Sequence, residues 1–170
     1  PPAEVAKAVL AHRPLGVGLV ILHIEWMTQR HYLDSIRNNQ DLDPQFKSLL
    51  KHHWLEEAQH AKLDTMMIEA LAAGMSEQQI TEGVADYLDI GGFLDTGLKQ
   101  QTLFDLEAFE AATGRTLTKA EREEFITIQH QANRWTYLGT GMSHPKFLET
   151  VGALDAAERE KLEEVVPAFC

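Results

Sequence analysis

The stretch HHWLEEAQHAKLDTMMIEAL, residues 52–71, decides the fold class, because its apolar residues recur with the period of an α-helix packed in a core. Four polar residues share the inner arc with these apolar residues when successive side chains are rotated by roughly 100°. They are His53, Glu57, His60 and Asp64. Two histidines and two acids on a buried stripe indicate a chemical role, and a bound cation would provide one.

Helix signals recur along the rest of the chain, and no strand-like alternation extends beyond a few residues. Helix starts are marked by Asp43 before Pro44 and by capping boxes at Ser76–Gln79, Thr118–Glu121 and Asp155–Glu158. The predicted helices cover residues 15–37, 44–72, 77–88, 92–112, 119–138 and 156–165, with a short leading helix in 3–12. The sequence therefore predicts an all-α fold: a four-helix bundle of two hairpins joined by one crossover connection, with short extra helices.

Composition limits the classes of partner. The chain has 170 residues, enough for one core, and no change in composition marks a second unit, so residues 1–170 are predicted to form a single helical domain. The net charge of −11 argues against binding to nucleic acid or to anionic membrane surfaces. The longest apolar run, residues 15–22, is too short to span a bilayer. We expect a cytoplasmic protein.

Two further expectations come from the first and last residues of the sequence. The single cysteine, Cys170, excludes an intrachain disulfide and a cysteine metal cluster. The chain starts at Pro1 without a methionine, which indicates a trimmed protein or part of a longer one.

Glu25 is the acidic residue on the inner arc of the first long helix. If residues 15–37 and 44–72 form an antiparallel hairpin, Glu25 lies at the height of Glu57, and His60 lies one turn further along. Burying one ionised carboxylate costs several kcal/mol, and a second one nearby adds to that cost. A shared proton, a basic partner or a metal cation would offset it. Two carboxylates and one imidazole suit iron, manganese or zinc.

The surrounding residues are predicted to play lesser parts. His53 and Asp64 are expected to orient His60 or Glu57. His23 falls outside the inner arc of its helix and is expected to be an ordinary surface histidine.

The pattern of Glu25 followed by Glu57-Ala58-Gln59-His60 resembles the ferritin-like carboxylate-bridged di-iron superfamily. That superfamily includes ferritins, rubrerythrins, ribonucleotide reductase small subunits and arylamine N-oxygenases. The resemblance covers the four long helices and implies a ferritin-like bundle. It also implies that the second hairpin supplies another Glu and another Glu-x-x-His.

The second hairpin departs from this family pattern. Glu107 stands where its acid is expected. If His130 matches the family's histidine, Thr127 stands in place of the Glu. If His130 matches the extra histidine of the N-oxygenases, Arg134 and Tyr137 stand in the Glu and His places. Both alternatives lack a bridging ligand. The resemblance implies one or two iron ions held by Glu25, Glu57, His60, Glu107 and His130.

Two functions remain open from the sequence. The first is a non-haem iron oxidase or oxygenase that activates O₂ or peroxide, with a small-molecule substrate at an open face of the bundle. The second is a non-catalytic ferritin-like module with a degenerate or mononuclear metal site, working as a homodimer or within a longer chain. The last segment is predicted either to cap the bundle through Met142, Phe147, Leu148 and Val151 or to form a partner surface.

Overall fold

A computed structural model describes residues 2–169, and every regular element within them is helical. The elements are α1 (Pro2–Val9), α2 (Pro14–His31), α3 (Pro44–Ala72), α4 (Glu77–Thr113), α5 (Lys119–Arg134), α6 (Thr140–Met142), α7 (Pro145–Leu154) and α8 (Ala156–Val165). Helices α2 and α5 continue as π-helical turns, Tyr32–Ile36 and Trp135–Gly139, and Val166–Phe169 forms a 3₁₀ turn. The all-α prediction is confirmed. Cys170 lies outside the described residues.

The predicted caps hold the ends of the long helices. The Asp43 side chain accepts hydrogen bonds from the first-turn amides of α3, and Pro44 occupies the first helical position. Reciprocal capping boxes start α4 at Ser76 and α5 at Thr118. Gly114 ends α4 with φ of 66°, a left-handed conformation that glycine adopts without a Cβ clash.

Helix α4 is one continuous element, whereas the sequence predicts separate helices over 77–88 and 92–112. Gly91 and Gly92 weaken a helix at this point. However, Tyr87, just before the predicted break, and Ile90, within it, are buried in the core and hold the helix there. Only residues 73–76 join α3 to α4. The predicted crossover connection is therefore mostly helical and forms the first part of α4.

Helix α2 lies at the centre of the packing and contacts α3, α4, α6 and α7. Its buried residues Leu15, Leu19 and Leu22 belong to the main hydrophobic core. Helix α5 packs on α4 and contributes no buried residue. Across residues 2–169, no helix is both long enough and apolar enough to cross a bilayer.

The C-terminal segment completes this core. Met142, Phe147 and Val151 are fully buried, and Leu148 packs against them at the edge of the cluster. Of the two alternatives that the sequence left open for these residues, packing against the helices is the observed one.

A close approach between α2 and α4 gives a first testable prediction. A Cβ added at Gly16 would lie 2.5 Å from Asp86 Cβ and 3.0 Å from the Gly83 carbonyl oxygen. Because backbone must move to relieve this overlap, Gly16→Ala should destabilise the fold by about 1–3 kcal/mol in urea denaturation. At Gly92 an added Cβ meets nothing within 4 Å, so Gly92→Ala should stabilise α4 by about 0.5–1 kcal/mol. Equal effects of both changes would contradict this packing.

Candidate metal centre

Three of the predicted ligands meet at the interface of α2 and α3. One ligand atom from each of Glu25, Glu57 and His60 lies within 4.8 Å of the others. The antiparallel hairpin sets this height, because the Gln29 side chain on α2 donates to the Trp54 carbonyl on α3 at 2.9 Å. The structure therefore brings these three side chains together, but not in the interior as predicted, because His60 is exposed and Glu25 and Glu57 are only half-buried.

Two histidines contact the Glu57 carboxylate, one on each oxygen. His53 Nε2 lies 2.7 Å from Glu57 Oε1, and His60 Nδ1 lies 2.7 Å from Glu57 Oε2. His53 therefore contacts a candidate ligand, in line with its predicted orienting role. His60 Nε2 faces Glu56 Oε1 at 3.5 Å. The His60 side chain is 45 % exposed, so the centre opens to solvent along α3.

The pKa values of Glu25 and Glu57 are shifted in opposite directions. The pKa of Glu25 is raised to about 7, mainly by burial and then by the hydrogen bond and charge of Glu57 and by the charge of Asp64. Partial burial also raises the pKa of Glu57, but hydrogen bonds from Glu25 and His60 outweigh burial and hold that pKa below its usual value. With a pKa of about 7, Glu25 is about half protonated at neutral pH, beside a Glu57 carboxylate that is ionised.

The donor set fits a transition-metal cation. Glu25 Oε2 is buried and has no hydrogen-bond partner, a costly condition that a cation at this oxygen would relieve. The group offers two hard carboxylates and one imidazole, which iron, manganese and zinc accept. Adjacent Glu-x-x-His ligands on one helix are the arrangement that di-iron bundles use.

The two candidate ligands from the second hairpin lie elsewhere. Glu107 is exposed on α4 and is not part of the group. His130 Nε2 instead contacts Asp95 Oδ1 at 2.9 Å, and Arg134 Nε lies 2.9 Å from the same oxygen. Sequence reasoning missed Asp95, because its contacts with His130 and Arg134 depend on how α4 packs on α5.

The prediction that His23 is a surface histidine is wrong. His23 is buried, its Nε2 donates to the Tyr137 carbonyl at 3.0 Å, and its Nδ1 accepts from the Tyr87 hydroxyl at 2.8 Å. Burial lowers the pKa of His23 to about 4, so the ring is neutral. Helices α4, α6 and α7 cover the side of α2 that a single hairpin would leave exposed.

His144, to which the sequence assigned no role, is also structural. Its Nδ1 accepts a hydrogen bond from the Lys146 amide at the start of α7, and its ring stacks on Trp26 with centroids 4.6 Å apart. Burial, and then the charge of Arg30, lower the pKa of His144 to about 4.

Comparisons with protein-family models, with curated proteins and with solved structures return no match for this chain. The resemblance to the di-iron superfamily therefore rests on the sequence spacing of Glu25, Glu57 and His60 alone. The function has to be argued from the chemistry of these side chains.

Proposed function

We propose that this chain is a ferritin-like metal-binding protein that holds iron at Glu25, Glu57 and His60 and uses it for oxidase or oxygenase chemistry. The main support for the proposal is that two carboxylates and one imidazole lie close together, and that one buried oxygen of Glu25 has no hydrogen-bond partner. Manganese and zinc fit the same donors. The ferritin-like relationship is part of the proposal, since the sequence motif supports it.

An ordinary ion pair accounts for the cluster less well than a cation does. Among residues 2–169, neither Glu25 nor Glu57 forms an ion pair with a lysine or arginine; Glu57 pairs only with His53 and His60. A shared proton satisfies one contact between the acids, yet it leaves Glu25 Oε2 unpartnered. A divalent cation would compensate both carboxylates at once.

The surroundings would suit redox chemistry at such a centre. Bound iron would supply electrons to O₂ or peroxide, while Glu57 and His60 would hold the metal and His53 would orient Glu57. The exposed edge of His60 gives solvent access. A cavity of about 780 Å³ lies between α2, α4 and α5; its lining is mainly apolar but includes Gln101, Asp105, Gln129 and Asn133, and none of the three candidate ligands belongs to it.

One observation favours the second candidate function, a non-catalytic metal-binding module. Asp95 already engages both His130 and Arg134, and Glu107 faces solvent, so the second hairpin adds no ligand to the group of three. A centre with three protein ligands would hold a single ion per chain with open positions. In the module, that ion would be held without oxidising a substrate.

Oxygen consumption separates these functions. Anaerobic protein loaded with Fe(II) should consume O₂ on mixing and develop Fe(III) absorbance, and Glu25→Ala should lose most of both signals because a carboxylate ligand is gone. Glu107→Ala is the matched control and should keep them, since this acid lies outside the group. If the protein binds iron but no O₂ is consumed, the non-catalytic metal-binding module is the function. Failure to bind iron would refute both.

A further inference from the structure

The cavity between α2, α4 and α5 is lined by none of the three candidate metal ligands. Its volume of about 780 Å³ is in the range of small-molecule sites. Most of its wall is apolar, and Ile24, which contributes to the wall, is 44 % exposed. An apolar group that covered this wall would bind favourably, because apolar surface would be removed from water. The apolar lining includes Ile24, Met27, Leu94, Leu98 and Leu138.

Of the residues that line this cavity, only Asp105 is charged. It is half-buried on α4, where its Oδ1 accepts a hydrogen bond from Gln101 Nε2 at 2.8 Å and its Oδ2 accepts one from Gln129 Nε2 at 3.2 Å. Within residues 2–169, no lysine, arginine or histidine pairs with this carboxylate. Both of its partners are neutral amides, so no cation of the described chain balances its charge.

The two amides leave hydrogen-bond acceptors in the wall. A carboxylate only accepts, so Gln101 and Gln129 turn their NH₂ groups toward Asp105. Their carbonyl oxygens accept no hydrogen bond from residues 2–169. The basic side chains that follow along α5, His130 and Arg134, do not line the cavity, because both contact a different aspartate. The polar part of the cavity therefore offers negative charge and free acceptors.

We propose that this cavity binds a primary aliphatic amine in its cationic form. The ammonium group donates to the Asp105 carboxylate and to the carbonyl oxygens of Gln101 and Gln129, which matches its three N–H donors. The alkyl tail lies against the apolar wall. The net charge of −11 raises the local concentration of such a cation. A fatty acid would place a second carboxylate beside Asp105, and a neutral alcohol would leave the charge of Asp105 unbalanced.

Calorimetric titration of the full chain at pH 7, with chelator present, would test the proposal with probes that share one tail. Octylammonium should bind at least tenfold more tightly than octanol, and octanoate should bind most weakly. Butylammonium should bind more weakly than octylammonium, by about two- to fourfold for each methylene removed. Equal affinities for octylammonium and octanol would overturn the cationic head group. If octylammonium does not bind, the cavity is not an amine site.

The variant Asp105→Asn tests the carboxylate itself. It should bind octylammonium at least tenfold more weakly than the wild type and octanol equally well, because only the charge is lost. Glu107→Gln is the matched control, since it removes the same charge from the same helix and this exposed acid does not line the cavity. Its affinity for octylammonium should be unchanged. Equal losses in the two variants would show a general attraction to the acidic surface and would overturn the site.

Filling the cavity gives a second test that leaves Asp105 in place. Gly97 lines the cavity, and a Cβ added there meets nothing within 4 Å. Gly97→Leu should therefore keep its helix content and lose binding of both octylammonium and octanol. Gly92→Leu is the control, because its Cβ is equally unobstructed but lies outside the lining. Wild-type affinity in Gly97→Leu would overturn the proposal. Since chelator is present throughout, none of these results depends on the proposed metal binding.

Discussion

Replacing Glu57 with alanine should lower the affinity for Mn(II) or Fe(II) by at least about 100-fold. Glu57 belongs to the group of three, accepts a hydrogen bond from His60 and forms an ion-pair contact with His53. Loss of a residue that only orients a ligand already costs about 10–100-fold in metal affinity, and loss of a ligand should cost more. Isothermal titration under anaerobic conditions would measure the change.

The control for this experiment is His52→Ala. His52 neighbours the group in sequence, but its ring bonds to the Ser48 carbonyl within α3 and points away from the centre. Its replacement should leave the affinity unchanged. Equal losses in the two variants would show that metal binds adventitiously to the acidic surface, and the proposed centre would be wrong.

Lowering the pH should decrease the free energy of unfolding by about 3 kcal/mol because of His23, which stays neutral in the folded chain but binds a proton in the unfolded chain. The pKa of this buried ring is about 4, against an ordinary value of 6.5. Below pH 6.5 the unfolded chain therefore binds a proton that the folded chain does not. This contribution is fully present above pH 6.5 and is lost as the pH falls from 6.5 through 4.

Urea denaturation of the wild type and of His23→Gln between pH 4 and pH 7 would test this. Glutamine keeps an N–H donor for the Tyr137 carbonyl and an acceptor for the Tyr87 hydroxyl, but it does not titrate. The variant should be less sensitive to acid than the wild type. The lowered pKa of His144 contributes equally to both proteins and cancels. Parallel stability curves would contradict the neutral, buried state of His23.

The sequence could locate Glu25, Glu57 and His60 because one hairpin determines their geometry. Helical periodicity sets the direction of each side chain, and the short turn between α2 and α3 sets the relative heights. Both are local properties. The caps at Asp43, Ser76 and Thr118 could be predicted from the sequence for the same reason, since each depends on residues within one helical turn.

The remaining features depend on contacts between distant parts of the chain. His23 was misplaced because periodicity alone does not show that α2 is covered on several sides by later helices. Gly91 and Gly92 favoured a break in α4, yet burial of Ile90 outweighs their helix penalty. The pairing of His130 with Asp95 depends on the register of α4 and α5, which an isolated helical projection does not determine.

Elemental analysis of metal-loaded protein after desalting tests the central claim most directly. The account predicts about one iron or manganese ion per chain in the wild type and a loss of most of it in Glu57→Ala, with normal helix content in both. A wild-type chain that retains no metal after loading, or a Glu57→Ala chain that retains as much as the wild type, would contradict the account.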